Sequence, residues 1–306
     1  MPEPTPETRD GLDSFLSRYD HMAIRASHQI IVNYSTSFSL ATRLLEKQVR
    51  TDIRNLYAMV RIADEIVDGT AQAAGFSSAD TAAALDDYER AVLAAPECRF
   101  HSDPVLHAYA LSARRCQFNP EHVVAFFSSM RRDLNQSTHD AVSFQDYVYG
   151  SAEVIGLLCL SVFLTDHPVT EQEHTRLESG ACSLGAAFQK INFLRDLAED
   201  SKTLGRTYFP GVEHQELTEE YKTELVADIR TDLAAARAVM SLLPATARTG
   251  VLVATELFSE LTDRIEQRPA ADLIRYRVSV PRRTKAAVLA RAVSRSARRD
   301  RNGAKK

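Results

Sequence analysis

Glycine and proline are scarce, eleven of each in 306 residues. Long stretches carry no cluster of turn residues, which argues against a strand-rich fold and for helices. Cysteine is scarcer still: Cys98, Cys116, Cys159 and Cys182 are far apart and form no CxxC pair. Neither a disulfide framework nor a thiolate zinc site is indicated, and the thiols are expected reduced in the core. The nine histidines form no HExxH or similar pair, so transition-metal hydrolysis has no support. No glycine-rich phosphate loop or dinucleotide fingerprint is present. No apolar run approaches a membrane span, the best being Val154 to Leu164, so the chain is not expected to be transmembrane. The N-terminus, MPEPTPETRDG, lacks the basic-then-apolar pattern of a secretory signal and reads as a disordered tail on a cytoplasmic protein.

What is present is helical spacing and enough apolar material, 44% of residues, to bury one large core. Periodicity and capping signals predict helices over Asp13–Asn33, Asp52–Asp68, Thr81–Ala94, Asp103–Arg115, Pro120–Asn135, Phe144–Phe163, Thr170–Asp200, Glu216–Met240 and Ala245–Gln267. The fold class expected is all-α, with residues 1–16 a disordered tail, 17–284 one helical domain and 285–306 a basic helix and tail. Charge is uneven: Arg275–Lys306 carries a net +11, leaving −15 for the rest of a chain whose total is −4. Within that end, Ala286, Leu289, Val293 and Ala297 share a side with arginines opposite, as on an interfacial helix over anionic lipid. A solvated last helix explains the same pattern. Nucleic acid is not expected, because no aromatics are interleaved with the charges.

Two stretches carry chemistry. In NLYAMVRIADEIVDG (Asn55–Gly69), Tyr57, Arg61, Asp64 and Asp68 form one polar stripe on an otherwise apolar helix, the pattern of a lined cavity. In QKINFLRDLAED (Gln189–Asp200), Gln189, Asn192, Asp196 and Asp200 do the same. Carboxylates one turn apart repel in a dry site. Hard divalent cations relieve this, and magnesium takes a few carboxylates together with phosphate oxygens and water. Arg61, Arg195 and Arg206 nearby add a need for an anion, so the combination points to a magnesium-bound diphosphate beside apolar and aromatic positions such as Tyr57, Tyr147, Leu157, Leu158, Phe188 and Phe193. The alternative is a helix bundle braced by buried ion pairs. Ser35 and Ser37 stand where a helix begins, either as caps or as phosphate contacts.

These stretches resemble the two aspartate-rich motifs of the squalene and phytoene synthase family of head-to-head prenyl transferases. YSTSF, MRRDL (Met130–Leu134), YVYGSAEVIG (Tyr147–Gly156) and GRTYFP (Gly205–Pro210) follow in family order, and the likeness runs over roughly Tyr34 to Pro281. It implies a single large helical bundle around a central cavity. It implies that Asp64, Asp68, Asn192, Asp196 and Asp200 hold magnesium, two or three ions, with manganese as a substitute. Ser35, Ser37, Arg61, Gln189, Asn192, Arg195 and Arg206 would contact diphosphate, and Tyr57, Arg61, Tyr147 and Tyr208 would stand at the reacting carbons. The implied reaction joins two geranylgeranyl diphosphates into phytoene, in carotenoid biosynthesis, through a cyclopropyl diphosphate. Squalene or dehydrosqualene formation from farnesyl diphosphate is the alternative, and a non-catalytic prenyl-lipid binding or assembly protein is the alternative of another class. NADPH is not expected, although relatives that use it carry no fingerprint either. Departures from the family pattern are Tyr34 in place of His, Phe258 in place of Tyr, and Glu153 in place of a small residue, where it is expected to reshape the tunnel. Partners expected are a prenyl diphosphate and, through the basic end, a peripheral membrane contact.

Overall fold

Several helix starts fall where short polar side chains cap free backbone N–H groups. The computed structural model describes residues 6–199, 206–212 and 217–303. The chain runs through α1 (Pro6–Tyr34), α2 (Thr36–Thr42), α3 (Lys47–Val67), α4 (Thr70–Ala73) and α5 (Ser78–Ala94). It continues through α6 (Pro104–Cys116), α7 (Pro120–Asn135), α8 (Ala141–Val148), α9 (Val154–Leu164) and α10 (Glu171–Glu199). The last helices are α11 (Glu219–Val239), α12 (Ala245–Glu266), α13 (Ala270–Leu273) and α14 (Arg282–Gly303). Among the described residues there is no strand, only one isolated bridge between Thr138 and Thr207.

The caps are legible. Ser77 and Asp80 cap α5 reciprocally, and Asp140 and Ser143 do the same for α8. Asp103 and Asn119 cap α6 and α7, each followed by proline in the first turn, where its missing N–H costs nothing. The first acidic helix ends at Asp68, and Gly69 follows with φ of 101°, a left-handed turn that glycine adopts without a Cβ clash.

Three expectations need correction. Helix α1 begins at Pro6, inside the stretch read as a disordered tail; residues 1–5 lie outside the described residues. The helix expected over Phe144–Phe163 is α8 and α9 joined by a π turn, Tyr149–Glu153, which apolar periodicity does not signal. The joined run, Ala141–Leu164, is long and apolar enough to cross a membrane by length and composition, contrary to the expectation from shorter windows. Its side chains are used inside the fold: Val154 and Leu158 are in the core, while Ile155 and Cys159 line a cavity.

The two largest of the apolar clusters among the described residues hold most of the bundle. One gathers Leu56, Met59, Leu85, Phe126, Phe127 and Leu158 from α3, α5, α7 and α9. The other gathers Ile191, Leu194, Ile229, Leu233, Phe258 and Ile265 from α10, α11 and α12. Between them lies a cavity of about 800 Å³, walled by α2, α3, α9, α10 and α12. The first half of α14 lies against α12, with Val288 and Ala292 buried there, so this helix spends part of its apolar side on the fold.

Candidate active site

Helix α3 contributes Tyr57, Arg61, Asp64 and Asp68 to the cavity wall, and α10 contributes Gln189, Asn192, Arg195 and Asp196. The two stripes read from the sequence therefore meet across one cavity. Asp200 lies outside the described residues. Tyr147, Tyr208, Ser35 and Ser37 also line it, with Phe188 and Phe193. Leu157 and Leu158 do not: the central helix turns Ile155, Gly156, Cys159 and Leu160 to the cavity, because the π turn shifts its register.

The charges are tightly arranged. Arg61 pairs with Glu65, approaches Asp64 at 3.7 Å and stacks its guanidinium 4.4 Å over the Tyr34 ring. Asp196 accepts from Arg195 Nε at 2.8 Å and from Arg277 Nε at 2.7 Å. Burial and the neighbouring Asp68 push the Asp64 carboxyl well above the usual range, with Arg61 pulling the other way. Burial likewise raises Asp68, against the pull of Arg206. Burial also lifts the Tyr57 phenol to about 12.

Arg206 is not on the cavity wall as expected. It is buried, donates to Asp68 Oδ1 at 2.9 Å and to the Val67 carbonyl at 2.7 Å, and lies 3.9 Å from Asp133. These contacts tie it to the end of α3, where the first motif ends. Glu153 is also off the wall; its charged neighbours are Lys190 and Asp232, and burial raises its carboxyl. Its side chain does not line the cavity, contrary to the expectation. Phe258 does take part, stacked on Phe188 with centroids 3.9 Å apart.

Three residues without an assigned role belong here. Asp133, inside MRRDL, accepts from the Tyr147 hydroxyl at 2.7 Å, and Tyr208 stacks on Phe193 beside it at 4.0 Å. Its signal was the same one that marked Asp64: a carboxylate inside an apolar helix. Arg277 and Lys285 line the mouth, and Lys285 Nζ donates to Thr36 Oγ1 at 2.6 Å. No local pattern marks them, since only the return of the chain brings them to α2 and α10.

Asp133 gives a pH-dependent prediction. Burial lifts its carboxyl to about 7, against the opposing effects of Arg206 and the Tyr147 hydroxyl. An unfolded aspartate titrates near 4, so between about pH 4 and 7 the folded chain binds the extra proton. Stability from this group is therefore full at low pH and is lost as pH rises through 7. Metal-free wild type should lose melting temperature relative to Asp133→Asn between about pH 5 and 8. A difference that stays flat with pH would refute the assignment.

The donors fit a hard divalent cation. Asn192 Oδ1 is buried with no hydrogen-bond partner, and the Asp64 and Asp68 carboxyls are held in a state that a cation would relieve. Among the described residues, no three His, Cys, Asp or Glu side chains gather as a ready metal cluster. Arginines occupy Asp68 and Asp196 instead.

Residues 31–284 match the family described as squalene/phytoene synthase. A 15-cis-phytoene synthase of Paracoccus sp. is 29% identical over 61% of this chain and 60% of its own length. A 4,4'-diapophytoene synthase of Staphylococcus haemolyticus is 28% identical over 67% of this chain and 68% of its own. A phytoene synthase of Pseudescherichia vulneris is 30% identical over 60% and 58%. The chain thus spans about three fifths of the length of two of these relatives. A crystal structure of a dehydrosqualene synthase superposes with a TM-score of 0.72 at 21% identity, covering 91% of this chain and 98% of that one. A squalene synthase from Alicyclobacillus acidocaldarius gives 0.69 at 20% identity, covering 81% and 94%; both share the fold. With the two aspartate-bearing helices facing one cavity and the family match running over most of the chain, this protein belongs to the squalene/phytoene synthase family.

Proposed function

We propose that the protein is a magnesium-dependent prenyl transferase that joins two geranylgeranyl diphosphates head to head, giving phytoene and two diphosphates. The observation that carries this reading is the cavity itself. One end gathers Arg61, Asp64, Asn192, Arg195 and Asp196, and the wall continues through Ile155, Leu160, Leu177 and Val251. A charged head with a long hydrocarbon tail matches both parts.

Asp64, Asp68, Asn192 and Asp196 would hold the divalent ions, which when bound supply positive charge to the diphosphate. Arg61, Arg195, Arg277 and Lys285 add fixed positive charge at the same mouth, lowering the barrier to C–O cleavage. Cleavage leaves an allylic cation. The alkene of the second substrate attacks it, and loss of a proton closes a cyclopropane that keeps its own diphosphate. A second C–O cleavage, rearrangement and loss of a proton complete the hydrocarbon. Phe188, Phe193, Tyr147 and Tyr208 present ring faces that stabilise positive charge, and the apolar wall excludes the water that would trap the cation as an alcohol. Tyr147, with its hydroxyl committed to Asp133, is held in place.

The farnesyl reading has its own support, since the relatives named for phytoene and for diapophytoene are nearly equally similar, at 29% and 28%. Incubating the protein with magnesium, detergent and either prenyl diphosphate separates the readings. We expect diphosphate release and a forty-carbon hydrocarbon from geranylgeranyl diphosphate. A thirty-carbon product from farnesyl diphosphate alone would reassign the substrate. Tight binding of either without release of diphosphate would identify a prenyl-lipid binding protein instead.

A further inference from the structure

Helix α1 turns Ala23, Ser27 and Ile31 inward, all fully buried. Its opposite side is neither bare nor evenly polar. Phe15 is 60% exposed, Met22 43% and Val32 38%, and Arg18 and Arg25 fall between them on the same stripe. The stripe extends about 25 Å. Along its edge lies His28, and beside it are Arg43, Arg50 and Arg54 from the start of α3 and the turn before it. The three arginine charges lower the His28 pKa beyond the effect of burial, and Arg50 and Arg43 lower that of Arg54 in the same way.

No carboxylate among the described residues pairs with Arg18, Arg25, Arg43, Arg50 or Arg54. Arg54 Nε is buried without a partner, and Arg50 donates only to the Arg43 carbonyl, at 3.4 Å. The acids nearby in sequence are engaged elsewhere. Glu46 caps α3, and Asp52 is buried against Ser112 and Arg115. By contrast, Arg115, Arg131 and Arg230 each hold two acids. Clustered, uncompensated cations repel one another and are costly unless an anionic surface answers them.

We propose that this face, the Phe15–Val32 stripe of α1 with His28, Arg43, Arg50 and Arg54 beside it, docks the protein on an anionic lipid bilayer. Spaced apolar side chains among cations on an exposed helix face suit an interface of headgroups and acyl chains, where the apolar groups insert and the arginines meet phosphates. The C-terminal helix is the poorer anchor, because Val288 and Ala292 are already packed on α12. Ile31 and Tyr34 of α1 line the cavity, so a bilayer along α1 is one helix away from it. The inference stands on this surface alone and does not depend on the reaction.

The test is co-flotation of the full chain with vesicles of phosphatidylcholine alone or with about 30% phosphatidylglycerol, at low and high salt. Wild type should float with the anionic vesicles at low salt only. Arg43→Glu, Arg50→Glu and Arg54→Glu together should cut binding by at least about tenfold, and Phe15→Ser with Met22→Ser should weaken it in the same direction. Each variant should keep the wild-type melting temperature and detergent-assay activity. Neutralising the tail, as Arg295→Gln, Arg298→Gln, Arg299→Gln and Arg301→Gln, should leave most binding intact. Failure of wild type to bind anionic vesicles would overturn the proposal and leave an acidic protein as the partner. Loss of binding only in the tail variant would overturn it in favour of the C-terminus.

Discussion

Asp64→Asn should lower turnover by roughly 10²–10³-fold while the metal-free protein melts no lower than wild type. Both halves follow from the electrostatics of α3. Burial and Asp68 disfavour ionisation of Asp64, so its folded pKa lies above that of the unfolded chain. Stability from such a group is present at low pH and lost as pH rises, so at neutral pH a neutral amide relieves a cost. Arg61 does not depend on Asp64, since it also pairs with Glu65 and stacks on Tyr34. Magnesium with diphosphate should raise the melting temperature of wild type, as any ligand of the folded state does, and should raise that of the variant far less. Asp196→Asn should lose turnover similarly but melt slightly lower, because it releases pairs with Arg195 and with the half-exposed Arg277, worth about 0–1 kcal/mol each. An Asp64→Asn protein that keeps its activity but melts several degrees lower would establish the ion-pair brace and remove the metal.

That contrast shows where the sequence was informative. A carboxylate in an apolar helix has few physical explanations, so Asp64, Asp68 and Asp196 stood out, and their common stripe with Arg61 and Asn192 is fixed by the 3.6-residue period. The all-α class followed from few turn residues and visible caps. Arg206 lies off the wall because spacing gives the charge and not its direction: the Val67 carbonyl and the inner sides of the Asp68 and Asp133 carboxylates, both at the cavity, draw it in behind them. Leu157 and Leu158 were misread for a different reason. The π turn adds a residue to one helical turn, so faces extrapolated from Tyr147 rotate past it. Arg277 and Lys285 depend on contacts between the chain's end and its beginning, such as Lys285 with Thr36, and no periodicity encodes them.

The helices that carry the π turn and the second motif are locked by backbone, and this gives the largest expected effect on stability. A Cβ at Gly156 would lie 2.5 Å from the Ala181 carbonyl oxygen of α10. One at Gly185 would lie 2.5 Å from the Ala152 carbonyl oxygen and 3.0 Å from Glu153 Cα, both in the π turn. Neither obstacle is a side chain that can rotate away, so alanine at either position must push α9 and α10 apart. Overpacking of this kind costs about 1–3 kcal/mol, and Gly156→Ala with Gly185→Ala should lower the melting temperature by roughly 5 °C or more. Gly180 is the control, since its obstacle is the Val239 side chain: Gly180→Ala should be destabilising alone and rescued by Val239→Ala, whereas no side-chain truncation should rescue Gly185→Ala. Because Asn192 and Asp196 ride on α10 opposite Asp64, the same separation should reduce turnover in whatever fraction still folds. A double alanine variant with wild-type melting and activity would mean that α9 and α10 do not set the spacing between the two motifs.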